Sequence, residues 1–186
     1  MLSYIKEGIK ILADRRARKR FWGYRPVVAC LIHSSEDTAK FLFVAPVFKP
    51  DVWMPPQEGI RPDDTIESAI LRCMQVELGI AENQLQIRRT VWLGCHKIPE
   101  QQGARDVPFS PFKMKGKAYY AALVKTTGNV LLRPNPAEIA GTRWIELQNV
   151  PEILAGNSDR KQQLIKQAFH HLLKTNLASL AVDSEV

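Results

Sequence analysis

A chain of 186 residues, 45% hydrophobic and 24% charged, suits one domain with a sizeable core and is too ordinary in composition for a disordered or fibrous protein. No apolar run approaches the roughly 18 residues that span a bilayer, and the N-terminus lacks the apolar centre of a secretory signal, so a cytoplasmic location is expected. The net charge of +7 is lopsided: residues 1–25 hold eight Lys or Arg against Glu7 and Asp14, and the remainder is close to neutral.

The first element is a basic N-terminal extension, residues 1–22. Ile5, Ile9 and Leu12 recur at helical spacing, Arg15, Arg16, Arg18, Lys19 and Arg20 follow, and Phe21, Trp22 and Tyr24 supply aromatic rings. Three readings are open for it. It is a solvated tail that aids solubility. Alternatively it contacts nucleic acid, since clustered cations gain affinity by releasing counterions and the rings can stack on bases. Or it is a basic amphipathic helix that meets a membrane surface or an acidic protein partner.

Residues 23–177 read as the folded domain. Val27–Ile32 and Phe41–Val47 are expected strands around a turn at Ser34–Thr38. Pro55, Pro56, Gly59 and Pro62 keep the next stretch irregular. A helix is expected over 64–78, with Asp64 as N-cap, Glu67 closing a capping box, Ile66, Ile70, Met74 and Leu78 as the buried stripe, and Gly79 as the stop. Leu85–Cys95, Ala118–Thr126, Val130–Leu132 and Arg143–Glu146 read as further strands, and the Pro- and Gly-containing segment 99–111 as a loop on the active face. A last helix from Asp159 to Leu177 is expected to bury Leu164, Ala168, Phe169, Leu172 and Leu173. Residues 178–186 read as a flexible tail. Cys30, Cys73 and Cys95 lack metal-ligand spacing; reduced thiols are expected, with Cys30 and Cys95 buried in strands.

Residues 53–80, WMPPQEGIRPDDTIESAILRCMQVELGI, carry the specific signal. Trp53, Pro56, Gln57, Gly59, Ile60 and Pro62 match the loop W-x-x-P-Q-G-G-I-x-P-G-E, Arg72 falls in register, and Glu77 with Gly79-Ile80 closes the pattern. This resembles the Nudix box, G-x5-E-x7-R-E-U-x-E-E-x-G-U, whose glutamates hold magnesium against a diphosphate linkage. The chain departs from it at Glu58, Asp63 and Asp64, and above all at Cys73 and Val76, which stand where the family has carboxylates. The resemblance implies that Asp64 and Arg72 form a structural brace. Gly23-Tyr24-Arg25-Pro26 and Glu138-Ile139-Ala140-Gly141-Thr142-Arg143-Trp144-Ile145 extend it to bacterial RNA 5′-pyrophosphohydrolases and dinucleoside polyphosphate hydrolases, over residues 23 to about 175. It implies a Nudix-type α/β/α sandwich with a mixed β-sheet, and makes Glu138 the counterpart of a metal-side glutamate.

Magnesium prefers oxygen ligands, and a thiol and a valine cannot replace carboxylates. Positions 73, 76 and 77, three and four apart, are expected to share one helix face that now reads Cys-Val-Glu. Two functions follow from different classes. In one, the domain has a degraded metal site, is non-hydrolytic or weakly active, and recognises a nucleotide, an RNA 5′ end or a protein partner. In the other it is a Mg- or Mn-dependent hydrolase with Glu77 and Glu138 as metal ligands and catalytic carboxylates, helped by Glu58, Asp63, Asp64 or Glu67 in a displaced site. Capping and helix-dipole compensation account for Asp64 and Glu67 without a metal. Arg25 is a candidate phosphate clamp or a brace for the first strand. Lys113, Lys115 and Lys117 line a phosphate channel or form the wet side of a strand. His96, His170 and His171 lack partners at metal-ligand spacing, and nothing near Cys73 marks it as a nucleophile.

Deleting residues 1–20 is expected to leave one cooperative thermal transition while sharply weakening polyanion binding, measured by retention on heparin. A truncation that no longer unfolds cooperatively would make the extension structural.

Overall fold

The computed structural model describes residues 24–35, 39–97 and 116–174; the basic extension, Lys113, Lys115 and the whole of the 99–111 loop lie outside them. Strands β1 (Tyr24–His33) and β5 (Gly116–Thr126) run parallel in unbroken register from Tyr24↔Gly116 to His33↔Lys125. Their runs VVACLI and AYYAA are apolar at every position, the pattern of strands covered on both faces. Strand β4 (Leu85–Lys97) pairs antiparallel with β5, and β2 (Lys40–Pro46) pairs antiparallel with β6 (Ile139–Glu146). The order is β4-β5-β1-β2-β6, with the short β3 (Gln57–Gly59) lying antiparallel beside the first half of β1. The sheet is therefore mixed.

Alternate residues of the central strands supply two cores. Val28, Cys30, Ile32, Tyr120, Ala122 and Val124 face the box helix, α1 (Ile66–Arg72), and meet Ile66, Ile70, Met74 and Leu78. Leu31, Phe41, Phe43 and Ala121 face the other way and meet Ile165, Ala168, Phe169 and Leu172 of the C-terminal helix. Phe41 and Phe169 close that side edge to face at 5.0 Å. A short helix α2 (Val150–Ile153), flanked by 3-10 turns, leads into this C-terminal helix, α3 (Asp159–Leu173). Helix, sheet and helix form the α/β/α sandwich, with the box loop at one end of β1.

Several local expectations are corrected. The N-cap is Thr65, whose hydroxyl accepts the Ser68 N–H while Ser68 Oγ accepts the Thr65 N–H; Asp64 and Glu67 do not form the box. Asp64 is drawn off by the Arg61 N–H at 2.7 Å, a competing local hydrogen bond. Val130–Leu132 forms no strand; the chain runs on to the box helix, where the Arg133 N–H donates to the Leu78 carbonyl. Helix α3 stops at Leu173, where Lys174 turns left-handed (φ 62°), and Leu173 is only partly buried whereas Ile165 is fully so. Cys95 is exposed, since β4 is an edge strand with one face in solvent.

Gly79 is irreplaceable on two counts. Its φ of 67° is left-handed, and a Cβ there would lie 2.7 Å from that of Arg133. Gly79→Ala is expected to cost about 2 kcal/mol in denaturant unfolding. A variant as stable as the parent would mean the turn re-forms at no cost.

Candidate active site

The site is assembled around Arg72, at the last turn of α1. Its Nη1 lies 2.7 Å from Asp64 Oδ2, its Nη2 donates to the Gly59 carbonyl at 2.6 Å, and Glu58 Oε1 stands 3.7 Å away. One guanidinium thus ties the loop before the helix to the helix itself. Burial works against the charge of Asp64, but the Arg61 N–H and the Arg72 guanidinium outweigh it and hold its carboxyl below the ordinary range. Arg25 packs across Gly59, where a Cβ would sit 2.8 Å from its Nη2, so this glycine leaves room for the guanidinium. In the parallel β1–β5 pair Arg25 is the register neighbour of Lys117.

Beyond Arg72 the winding changes. Cys73–Glu77 is a π-helical turn, and such turns are rare insertions that cluster at functional sites. Cys73 is completely buried in one core cluster with Cys30 of β1, and its thiol also neighbours the buried Glu77, whereas Val76 is half exposed. Of the expected shared face of 73, 76 and 77, Val76 departs, turned to solvent. The neighbouring Cys30 thiol, then burial and the charge of Glu77, raise the Cys73 thiol well above its ordinary range, which leaves it a poor nucleophile.

Glu138 reaches Glu77 through the backbone. The N–H groups of Arg133 and Asn135 donate to the carbonyls of Leu78 and Glu77, and a turn then brings Glu138 round, its carbonyl accepting the Val47 N–H at 2.9 Å. Burial and the nearby carboxylates of Glu58 and Glu138 push Glu77 up to about 8. The charges of Glu58 and Glu138 thus bear on Glu77, yet among the described residues no three His, Cys, Asp or Glu side chains converge closely enough to hold a metal ion. Asp63 and Glu67 are exposed and belong to no such group, so the displaced site proposed for them has no ligand set.

The pattern reading gave Gln57 and Trp53 no role and passed over Lys161. Arg143 stacks over the Trp53 ring at 4.4 Å, a cation–π contact. Asn157 Nδ2 donates to the Trp53 carbonyl at 2.8 Å, linking the loop to the approach of α3. From the first turn of α3, Lys161 reaches Gln57 Oε1 and Met54 Sδ, each at 3.2 Å. Burial, then the like charges of Lys117 and Lys49, lower Lys161 to about 8. Only folding shows this link, because Lys161 lies about a hundred residues from Met54 and Gln57.

With the geometry in place, the comparisons agree with it. The NUDIX domain model matches residues 23–167, and the chain belongs to that family. RNA pyrophosphohydrolases of Saccharophagus degradans and Histophilus somni are each 26% identical to it, over 66% of this chain and 72% of the first, and 89% of this chain and 86% of the second. The fold is shared with a C. elegans Ap4A hydrolase (TM-score 0.56, 18% identity, 80% of this chain and 99% of that one). It is also shared with the E. coli dihydroneopterin triphosphate pyrophosphohydrolase (TM-score 0.57, 19% identity, 77% and 95%). Among the described residues no helix is long and apolar enough to cross a membrane.

Glu77 gives a pH test. Its folded value near 8 lies above the unfolded 4.5, so between these the native state binds the extra proton and stability falls as pH rises. Glu77→Gln is expected to be more stable than the parent at pH 8.5 in EDTA, with the advantage shrinking toward about pH 5. Thermal melts across that range decide it; an offset independent of pH would mean Glu77 ionises freely.

Proposed function

We propose that this chain is a Nudix module with a degraded metal site, non-hydrolytic or weakly active, that recognises a nucleotide or RNA 5′ end with the old substrate face. The observation that supports this is the make-up of the box helix end: a buried thiol, Cys73, and a solvent-facing valine, Val76, stand where the family has carboxylates, leaving Glu77 as the buried carboxylate of that segment. Nudix hydrolases use Mg or Mn, and the residues here fit such an ion poorly. It takes about six oxygen ligands, and a lone buried carboxylate whose ionisation is already opposed by two neighbours makes a weak anchor. The relatives named RNA pyrophosphohydrolase support the ligand class, and Arg25 beside Lys117 supplies cations where its phosphates would lie. A protein partner on the same face, and nucleic-acid contact through Arg15, Arg16, Arg18, Lys19 and Arg20, belong to the same reading.

One observation favours a second reading, an Mg- or Mn-dependent hydrolase with non-standard carboxylates: Glu58, Glu77 and Glu138 lie close enough for their charges to interact. A divalent cation would relieve that repulsion. Hydrolysis of 5′-triphosphorylated RNA, dinucleoside polyphosphates, ADP-ribose and nucleoside triphosphates, with either metal, separates the two. The parent is expected to show no turnover above a Glu77→Gln, Glu138→Gln double variant. Turnover abolished in that variant would establish the hydrolase instead.

A further inference from the structure

We infer that the apolar stripe of the N-terminal extension, Ile5, Ile9 and Leu12, docks in a groove between α1 and the start of β4, with Lys6 and Lys10 on the acidic rim of that groove. The groove encloses about 610 Å³ and is lined by Leu71, Leu85 and Ile87 together with Glu67, Glu82 and Asn83. The three apolar side chains are half-buried and the three polar ones exposed, so the floor is aliphatic and the rim carries two negative charges. Neither glutamate has a salt-bridge partner among the described residues.

The layering of the fold leaves this groove open. The buried stripe of α1 meets β1 and β5, and β4 lies one strand further out, so its residues on the same side are only partly covered. Trp92 continues that side of β4: it is opposite Tyr120 in register, 4.8 Å from its ring, and 42% exposed. An apolar track therefore runs along β4 from Trp92 back to the groove.

Charge and connectivity select the occupant. The extension, which lies outside the described residues, holds most of the net charge of the chain. Ile5, Ile9 and Leu12 fall at helical spacing, and Lys6 and Lys10, four apart, flank them. A tail that served only solubility would gain nothing from the stripe, and a second copy of the groove would set acidic rim against acidic rim. The extension joins the fold at Tyr24, level with Gly116 and, through it, with Lys97 at the far end of β4. From there across to β4 and along it to Ile87 is about 35 Å at ordinary strand spacings. Residues 13–23 span up to about 36–40 Å when extended, so Leu12 reaches the groove of its own chain. The inference stands apart from the recognition reading, because Arg15, Arg16, Arg18, Lys19 and Arg20 follow the docked stripe and remain available to a polyanion.

Hydrogen exchange of the full chain at low salt, read over the amides of residues 5–12, tests the docking. Protection is expected in the parent. Ile9→Asp should reduce it about tenfold or more, since an aliphatic anchor is lost. Glu67→Lys with Glu82→Lys, and Lys6→Glu with Lys10→Glu, should each reduce it several-fold, and all four together should restore it, the size being that of exposed ion pairs. Glu67 and Glu82 are exposed, so these variants are expected to fold, which unchanged exchange in β1 and β5 would verify. Free exchange of residues 5–12 in the parent would make the extension a solvated tail, and protection indifferent to Glu67 and Glu82 would place it elsewhere; either overturns the inference. Protection that rises with protein concentration would seat the stripe in a second copy and overturn docking within one chain. Protection that appears only with a 5′-triphosphorylated RNA or anionic vesicles would assign the stripe to that partner and overturn it as well.

Discussion

The guanidinium of Arg72 is the constraint on which the rest of the site depends. It grips Asp64 and the Gly59 carbonyl at once and stands beside Glu58, so the loop after β3 cannot shift without breaking contacts that are largely withdrawn from water. Because β3 is paired to β1, the same grip registers the box helix against the sheet. Arg25, Gln57 and Glu58 are held in fixed relation through that one side chain and the short strand.

What happened at positions 73 and 76 is a change of environment as well as of residue. A carboxylate at 73 would have to ionise where Cys73 is now fully buried beside Cys30 and Glu77. A thiol accepts that burial at little cost, and the pair adds packing to the core. Val76, by contrast, gains nothing by facing solvent. Glu77 is the buried carboxylate of this segment, and burial with Glu58 and Glu138 nearby raises its affinity for a proton.

The approach of α3 supplies positive charge beside the box loop. Lys161 and Asn157 both reach back to that loop, one at Gln57 and one at the Trp53 carbonyl. Phe48 lies in solvent on the braced turn that precedes it.

The sequence by itself determined the family, the mixed α/β sandwich, the buried stripe Ile66, Ile70, Met74 and Leu78, and the absence of carboxylates at 73 and 76. These are properties of residue type and spacing, which local periodicity and a conserved-length motif express directly. Local competition defeated the finer reading: Thr65 rather than Asp64 caps the helix because Asp64 is held by Arg72 and the Arg61 N–H, and residues 130–132 form no strand on the way to Arg133, whose N–H closes the helix end. Only the tertiary structure decided that Val76 faces solvent while Cys73 and Glu77 are buried, since a π-turn changes the face without changing the sequence pattern. It alone brought Lys161 to Gln57, across a gap of about 100 residues, because contacts between distant segments follow from how the layers stack and leave no trace in spacing.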